Sequence, residues 1–346
     1  MCLPELQHIQ SLSTEKKRVL IIAEGFETRS LSWIKSQPNM KVFEHTIICK
    51  YSPSKKNRFE EMIQEVTMRT NNPPTVIDYN RFDPTVFEQK LAKQISVLLT
   101  DEYEVAIDIS AMSKMLIMII INLLRDNNND LRIVYTEPKT WKPSEEEYLL
   151  AVEDIKKYGS RIALSSIGVF DITRTSRLAS VVMQNAPTLL VAFTSSNEQA
   201  LSALFNEVVP SSALLINAKN DREPWREEAA IQINQRVIND FRIYRTAINS
   251  FNLMDYISVF EFMAEIYRNN CYSRRIIVSP TGGKIHTLSC ALIKACCQDI
   301  HIEYPTPESY HFDDYSSDEV NAIHEVYFPH FNYLLKEITQ KFGLNG

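Results

Sequence analysis

The sequence predicts an α/β chain: two tandem Rossmann-like domains with parallel sheets, related by internal duplication. Three observations predict it. Short apolar runs alternate with helical patterns along most of the 346 residues, the pattern of parallel strands joined by covering helices. The alternation occurs twice in the same order. Matching runs also recur at an offset of about 170 residues, far too long for a solenoid repeat. Residues 19–23 match 189–193, Ile109-Ser110 matches Val278-Ser279, and residues 135–138 match 304–307.

In the first half, residues 17–24 form an apolar run behind charges, bounded by Gly25, and read as a buried strand. A helical pattern follows at 30–35, then a strand at 42–50 and an amphipathic helix at 55–69. Asn71-Asn72-Pro73-Pro74 ends that helix. A short strand at 75–79 precedes Asp83-Pro84, which open a helix to residue 99 as N-cap and first helical position. A strand at 103–109, an apolar helix at 113–124 and a strand at 132–136 complete the set. In the second half the strands are expected at 188–194, 213–218, 241–244, 275–279 and 301–304. The helices between them are expected at 200–205, 224–239, 253–268 and 285–297.

A segment at 145–184 joins the halves, with Glu145-Glu146-Glu147, a helix over 149–157 and a β-like stretch at 160–170. Asp313, Asp314, Asp318 and Glu319 precede a C-terminal helix over 320–342. The expected division is therefore 1–145, an N-terminal Rossmann-like domain; 146–187, a connecting segment; 188–312, a C-terminal Rossmann-like domain; and 313–346, a helical tail.

Hydrophobic residues make up 45%, charged residues 23%, and the net charge is −6. This is ordinary for a soluble globular protein and argues against binding of nucleic-acid duplex. The longest apolar stretch, 115–124, is far short of the ~20 residues that cross a bilayer, and the first seventeen residues lack a signal-peptide pattern. No membrane association is expected. The six cysteines (Cys2, Cys49, Cys271, Cys290, Cys296, Cys297) form neither a disulfide scaffold nor a CxxC pair, so a reducing cytoplasm is the expected location. No zinc, EF-hand or GxSxG pattern is present, and neither metal nor cofactor is expected. Cys296-Cys297 reads as core, and Lys55-Lys56-Asn57-Arg58 as a solvated helix start.

Ligands of doubly wound sheets bind beyond the carboxyl ends of the strands, so four loops matter. Ser279-Pro280-Thr281-Gly282-Gly283-Lys284 follows a strand and precedes a helix. Two of only seven glycines let backbone N–H groups approach an anion, and the helix start adds a positive dipole. Lys284 supplies a charge and Ser279 and Thr281 supply hydroxyls, although neither GxxxxGK[ST] nor GxGxxG is present. Its counterpart, residues 108–114, keeps Ser110, Ser113 and Lys114 without glycines, and Asp108 is expected to cap the turn or pair Lys114. The third loop offers Gly25, Glu27 and Arg29, either aimed into a crevice or simply starting a helix. The fourth offers Thr194 and Ser195, as hydrogen-bonding groups or as an N-cap. His286 is the one histidine near a candidate loop; a helix-surface position is expected, with general acid/base work as the alternative.

The strand–loop–helix of Val278 to Lys284 resembles the CRISPR-associated Rossmann-fold (CARF) sensor domains. Those have a Thr-Gly-Gly-Thr-Lys loop at this place and bind cyclic oligoadenylates across a paired, pseudo-symmetric site. This chain has no Thr between Gly283 and Lys284, and its first half keeps only Ser113-Lys114. The resemblance implies a nucleotide-sensing regulatory or accessory protein of a prokaryotic antiviral defence system. Lys114 and Lys284 would be phosphate contacts of one composite site, and a separate effector protein the partner. Two alternatives stay open. One is a metal-independent cyclic-nucleotide phosphodiesterase, with Lys284 stabilising the phosphorane charge and Thr281 or His286 positioning the attacking 2′-hydroxyl. The other is a scaffold subunit without ligand.

Overall fold

The computed structural model describes residues 3–9, 12, 16–38, 40–54, 57–100, 102–158, 166–310 and 319–344. The chain forms two compact units. One comprises Met1–Thr140 with Ser316–Ile338, and the other Trp141–Tyr315 with Thr339–Gly346.

The first unit begins with a short strand β1 (Gln7–His8) and continues with β2 (Arg18–Ala23), α1 (Ser32–Ser36), β3 (His45–Tyr51) and α2 (Phe59–Arg69). Next come β4 (Thr75–Tyr79), α3 (Thr85–Leu98), β5 (Glu104–Asp108), α4 (Lys114–Leu124) and β6 (Asp130–Pro138). Strands β4-β3-β2-β5-β6 lie side by side, all parallel. Every residue of β2 and β5 is buried, as expected of central strands covered on both faces. Leu20 and Ile22 of β2 meet Trp33, Ile34, Met62 and Val66 of the helices in one core cluster. Ten of the eleven residues of α4 are buried, so its apolar run is core rather than membrane. No helix among the described residues is long and apolar enough to cross a membrane.

The second unit begins with α5 (Glu145–Tyr158), β7 (Ser166–Ile167) and β8 (Asp171–Thr173). Then come β9 (Thr188–Phe193), α6 (Glu198–Val208), β10 (Ser212–Lys219), α7 (Trp225–Ile233), α8 (Gln235–Asp240) and β11 (Ile248–Asn252). It ends with α9 (Tyr256–Asn270), β12 (Arg275–Ser279), α10 (Lys284–Cys296), β13 (His301–Ile302), β14 (Tyr304–Thr306) and β15 (Ser309–Tyr310). The sheet order is β11-β10-β9-β12-β13, all parallel. Counted from each unit's first parallel strand, both sheets run 3-2-1-4-5, the Rossmann order. β5 and β12, the strands before the two lysine loops, hold the same position in their sheets.

The chain then returns to the first unit. Strand β16 (Val320–Phe328) pairs antiparallel with β6, β1 pairs with β16, and α11 (Phe331–Lys341) follows. The expected helix over 320–342 is thus a strand and a helix. Pro329 lies between them and His330 takes a left-handed φ of 46°, breaking any continuous helix.

The domain limits also differ from expectation. Residues 146–187 are part of the second unit rather than a free connector. β7 pairs with β15 and β8 with β14, while Tyr148 of α5 packs on Trp225, Ala229 and Ile233. The expected strand at 241–244 is a turn. Arg242 has a left-handed φ of 52°, and Phe241 packs at a tilt on Phe205 with centroids 4.7 Å apart; the strand is β11. Four features named above lie wholly or partly outside the described residues: Lys55-Lys56, most of the β-like stretch at 160–170, the acidic residues 313–318, and Cys2.

Candidate functional site

Each unit gathers its candidate loops at the carboxyl ends of its own strands. In the second unit β12 ends at Ser279, which is fully buried, and its Oγ has no hydrogen-bond partner among the described residues. The chain turns at Thr281, whose N–H donates to the Ser279 carbonyl. The Thr281 hydroxyl donates to the Phe193 carbonyl at 2.6 Å and accepts from the Phe193 N–H at 3.0 Å. It therefore fastens the loop to the end of β9 and is already saturated. The glycines are needed for packing. A Cβ on Gly282 would stand 2.7 Å from the Phe193 ring, and one on Gly283 would stand 2.7 Å from Leu253 Cδ1.

Gly283 is the N-cap of α10 and offers no side chain to its amides. The Thr287 N–H reaches back to the Gly283 carbonyl at 2.9 Å, and the amides before it are the ones a helix leaves over at its start. Lys284, half-buried, is the first helical residue. His286 is fully buried rather than on the helix surface. Its Nε2 donates to the Asn252 carbonyl at 2.8 Å, its Nδ1 has no partner, and burial lowers its pKa. The Thr281 hydroxyl is held by backbone, and the free Nδ1 of His286 is buried with its ring, so neither group is presented to a ligand.

Beside this loop, Thr194 donates to Asn217 Oδ1 at 2.5 Å, and Asn217 in turn holds the Glu227 carbonyl. Ser195 Oγ bonds the Asn197 backbone, and Asn197 caps α6 by accepting from the Gln199 N–H. The polar run 194–197 thus works as turn and cap.

In the first unit, Asp108 Oδ1 accepts the Ser110 N–H at 2.9 Å, and Ser110 Oγ accepts the Thr136 N–H at 2.8 Å. These two groups tie β5 to β6. Glu27 and Arg29, both buried, form a two-pronged ion pair: Arg29 Nη2 to Glu27 Oε2 at 2.7 Å and Nε to Oε1 at 3.2 Å. Arg29 Nη1 also donates to the Thr136 carbonyl at 2.7 Å. The pair is folded into the protein instead of facing a crevice, because the buried charge of each is compensated by the other. Gly25 is required by close approach, since a Cβ there would stand 2.9 Å from both Ala111 Cβ and Ser30.

Ser113 caps α4, accepting from the Leu116 N–H at 3.2 Å. Two tyrosines fix this helix start. Tyr51 at the end of β3 donates its hydroxyl to the Ala111 carbonyl at 3.1 Å and accepts the Ser113 N–H at 2.6 Å. Tyr79 at the end of β4 places its hydroxyl 3.3 Å from Ser113 Oγ. Lys114 follows as the first helical residue. It is half-buried and has no hydrogen bond or ion pair among the described residues, and burial pushes its ammonium down to about 8.

One residue of this site escaped sequence reasoning. Glu24, directly after β2, is 1% exposed, and neither carboxyl oxygen has a hydrogen bond of good geometry. Burial raises its pKa to about 6, offset only in part by the Tyr51 amide, the Lys50 charge and the Ser54 hydroxyl. The available signal was a single charge closing an otherwise apolar strand. No group of three or more His, Cys, Asp or Glu able to hold a metal occurs among the described residues.

No protein-family model matches the chain, and no curated protein matches it. Solved structures give distant likenesses. The universal stress protein candidate of Pseudomonas aeruginosa UCBPP-PA14 is 7% identical over 95% of this chain and 98% of its own, with a TM-score of 0.24. The N-terminal domain of Candida albicans trehalose-6-phosphate phosphatase is 11% identical over 86% and 88%, with a TM-score of 0.23. The cytoplasmic domain of a prokaryotic cation chloride cotransporter is 10% identical over 86% and 99%, with a TM-score of 0.24. The Rossmann-like fold of each unit therefore rests on its strand order.

Proposed function

We propose that this chain binds a phosphate-bearing nucleotide at its strand-end loops and acts as a sensor, a regulatory or accessory protein of a prokaryotic defence system that signals to a separate effector. The observation that carries the binding is the start of α10. A diglycine turn leaves the helix without a side-chain cap, Lys284 stands at its first position, and the buried Ser279 Oγ at the foot of the loop lacks a partner. Helix-start amides, a positive dipole and a lysine form an anion seat. The defence context comes from the CARF-like loop alone. Sensing is favoured over cleavage because, of the groups that would position an attacking hydroxyl, Thr281 is held by backbone and His286 is fully buried.

The test is calorimetry of wild type and Lys284→Ala against AMP, GMP and cyclic oligoadenylates, with thermal melts as the folding control. Loss of a charge-assisted hydrogen bond weakens binding roughly ten- to a hundred-fold. If no nucleotide binds wild type, or if the variant binds equally well, the sensor reading fails and a scaffold role takes its place.

A further inference from the structure

The first unit holds two groups that its fold leaves unanswered, at the ends of neighbouring parallel strands. Lys114, after β5, is a cation without a partner among the described residues. Glu24, after β2, is a buried carboxyl group whose two oxygens make no hydrogen bond of good geometry among the described residues, although the Tyr51 amide and the Ser54 hydroxyl lie near it. Their loops are in register. The Gly25 backbone abuts Ala111, and the Tyr51 hydroxyl links the Ala111 carbonyl to the Ser113 amide. A buried acid normally has its lone pairs filled, and leaving them empty costs free energy. Glu27 is answered by Arg29, and Glu104 by Arg18 and Arg132, while Glu88, Glu104 and Asp108 each leave one oxygen without a hydrogen bond of good geometry among the described residues. Among the described residues Glu24 is the acid of this unit with both oxygens unpartnered, and it sits where doubly wound sheets take their ligands.

The remaining charges near Glu24 do not answer it either. Lys50 acts on Glu24 only through space, its Nζ lying over the Phe59 ring, 4.3 Å from the centroid. Asp78 opposes it with like charge. The Tyr51 amide and the Ser54 hydroxyl lie near Glu24 without good hydrogen-bond geometry, so among the described residues no pair of donors is aimed at its two oxygens. A carboxylate is best met by two parallel N–H groups in one plane. Among nucleobases that fork is the N1–H and N2–H edge of guanine; adenine presents one acceptor and one donor there.

We propose that Glu24 is the base-recognition residue of a nucleotide site in the first unit, accepting the two N–H donors of a guanine edge while Lys114 meets the phosphate. This rests on the reading of the chain as a nucleotide binder, and it assigns the base class and the residue that selects it. Glu24 changes no covalent bond; it is a specificity group.

The experiment is calorimetry at pH 7.5 with GMP, IMP, AMP and inorganic phosphate on wild type, Glu24→Gln and Lys114→Ala. IMP keeps N1–H and lacks the N2 amino group, so it removes one donor while the protein stays unchanged. The expected order is GMP tighter than IMP by about ten-fold or more, with AMP weaker still. Glu24→Gln, which preserves shape, loses about ten- to a hundred-fold for GMP and nothing for phosphate. Lys114→Ala weakens all four. GMP binding by wild type also strengthens as the pH is raised from 5 to 7, as Glu24 ionises. If GMP, IMP and AMP bind alike, or Glu24→Gln binds GMP as wild type does, base recognition by Glu24 is overturned while anion binding stands. If AMP binds tighter than GMP, and tighter at pH 5 than at pH 7, the donor fork is the wrong edge. If none of the four probes binds, this proposal and the nucleotide reading beneath it fall together.

Discussion

Replacing Glu24 by Gln stabilises the protein at neutral pH and leaves it unchanged in acid. The carboxyl group has an ordinary value of 4.5 and is raised to about 6 by burial in the folded state. A raised acid favours folding while it is protonated. That contribution is complete below pH 4.5 and is lost as the pH rises through 6. The gap between the two values corresponds to about 2 kcal/mol at 1.36 kcal/mol per pKa unit, or nearer 1 kcal/mol after screening at the strand's carboxyl end. Glutamine has the same shape and never ionises, so it escapes this cost. Thermal melts of both proteins between pH 4 and pH 8 should coincide at the acid end. They should separate above pH 6, the variant melting higher by roughly 2–8 °C for a unit of this size. A difference that stays flat across the range, or a variant that melts lower at pH 8, would refute the assignment of Glu24 as an uncompensated buried acid.

Three further outcomes follow from the site geometry. Thr281→Ala leaves the buried Phe193 N–H and carbonyl without the hydroxyl that serves both, so melts should show a loss of about 1–3 kcal/mol, which Thr281→Ser largely restores. Gly282→Ala drives a methyl into the Phe193 ring and should cost about 1–3 kcal/mol. Gly283→Ala meets only the mobile tip of Leu253 and should cost less, a ranking that denaturant titration checks. Sulfate binding to the first unit should weaken as pH rises through about 8, where Lys114 loses its proton, and Lys114→Ala should abolish that dependence when followed by calorimetry.

The central strands were readable because burial on both faces writes a continuous apolar run. β2, β5, β9 and β12 all fall where residues 17–24, 103–109, 188–194 and 275–279 were expected. Edge elements were not. β16 carries a half-buried, mixed pattern whose strand character comes from pairing with β6, a contact nearly two hundred residues distant. β11 is likewise half-buried along its length, and the more apolar 241–244 drew the assignment away from it. At the site, the diglycine turn was visible as a turn. Its reason was not, because Phe193 and Leu253 reach it through the fold. Hydroxyls are ambiguous in sequence for the same cause: Ser110 and Thr281 look like ligand groups until their backbone partners are known. Glu24 is the reverse case, since a missing partner leaves no trace in a string of letters.

The first unit is discontinuous in the chain, and that has a consequence for its biogenesis. β6 leaves the ribosome early, with one edge destined for β16, but residues 141–315 must be made before β16 exists. At ~5–20 residues per second the interval is roughly ten to thirty-five seconds. Throughout it the nascent first unit carries an open strand edge of the kind that recruits other chains. The first unit is therefore closed by a strand made only after residues 141–315 of the second unit, and the hazard of misassembly for this unit is concentrated in the interval between β6 and β16.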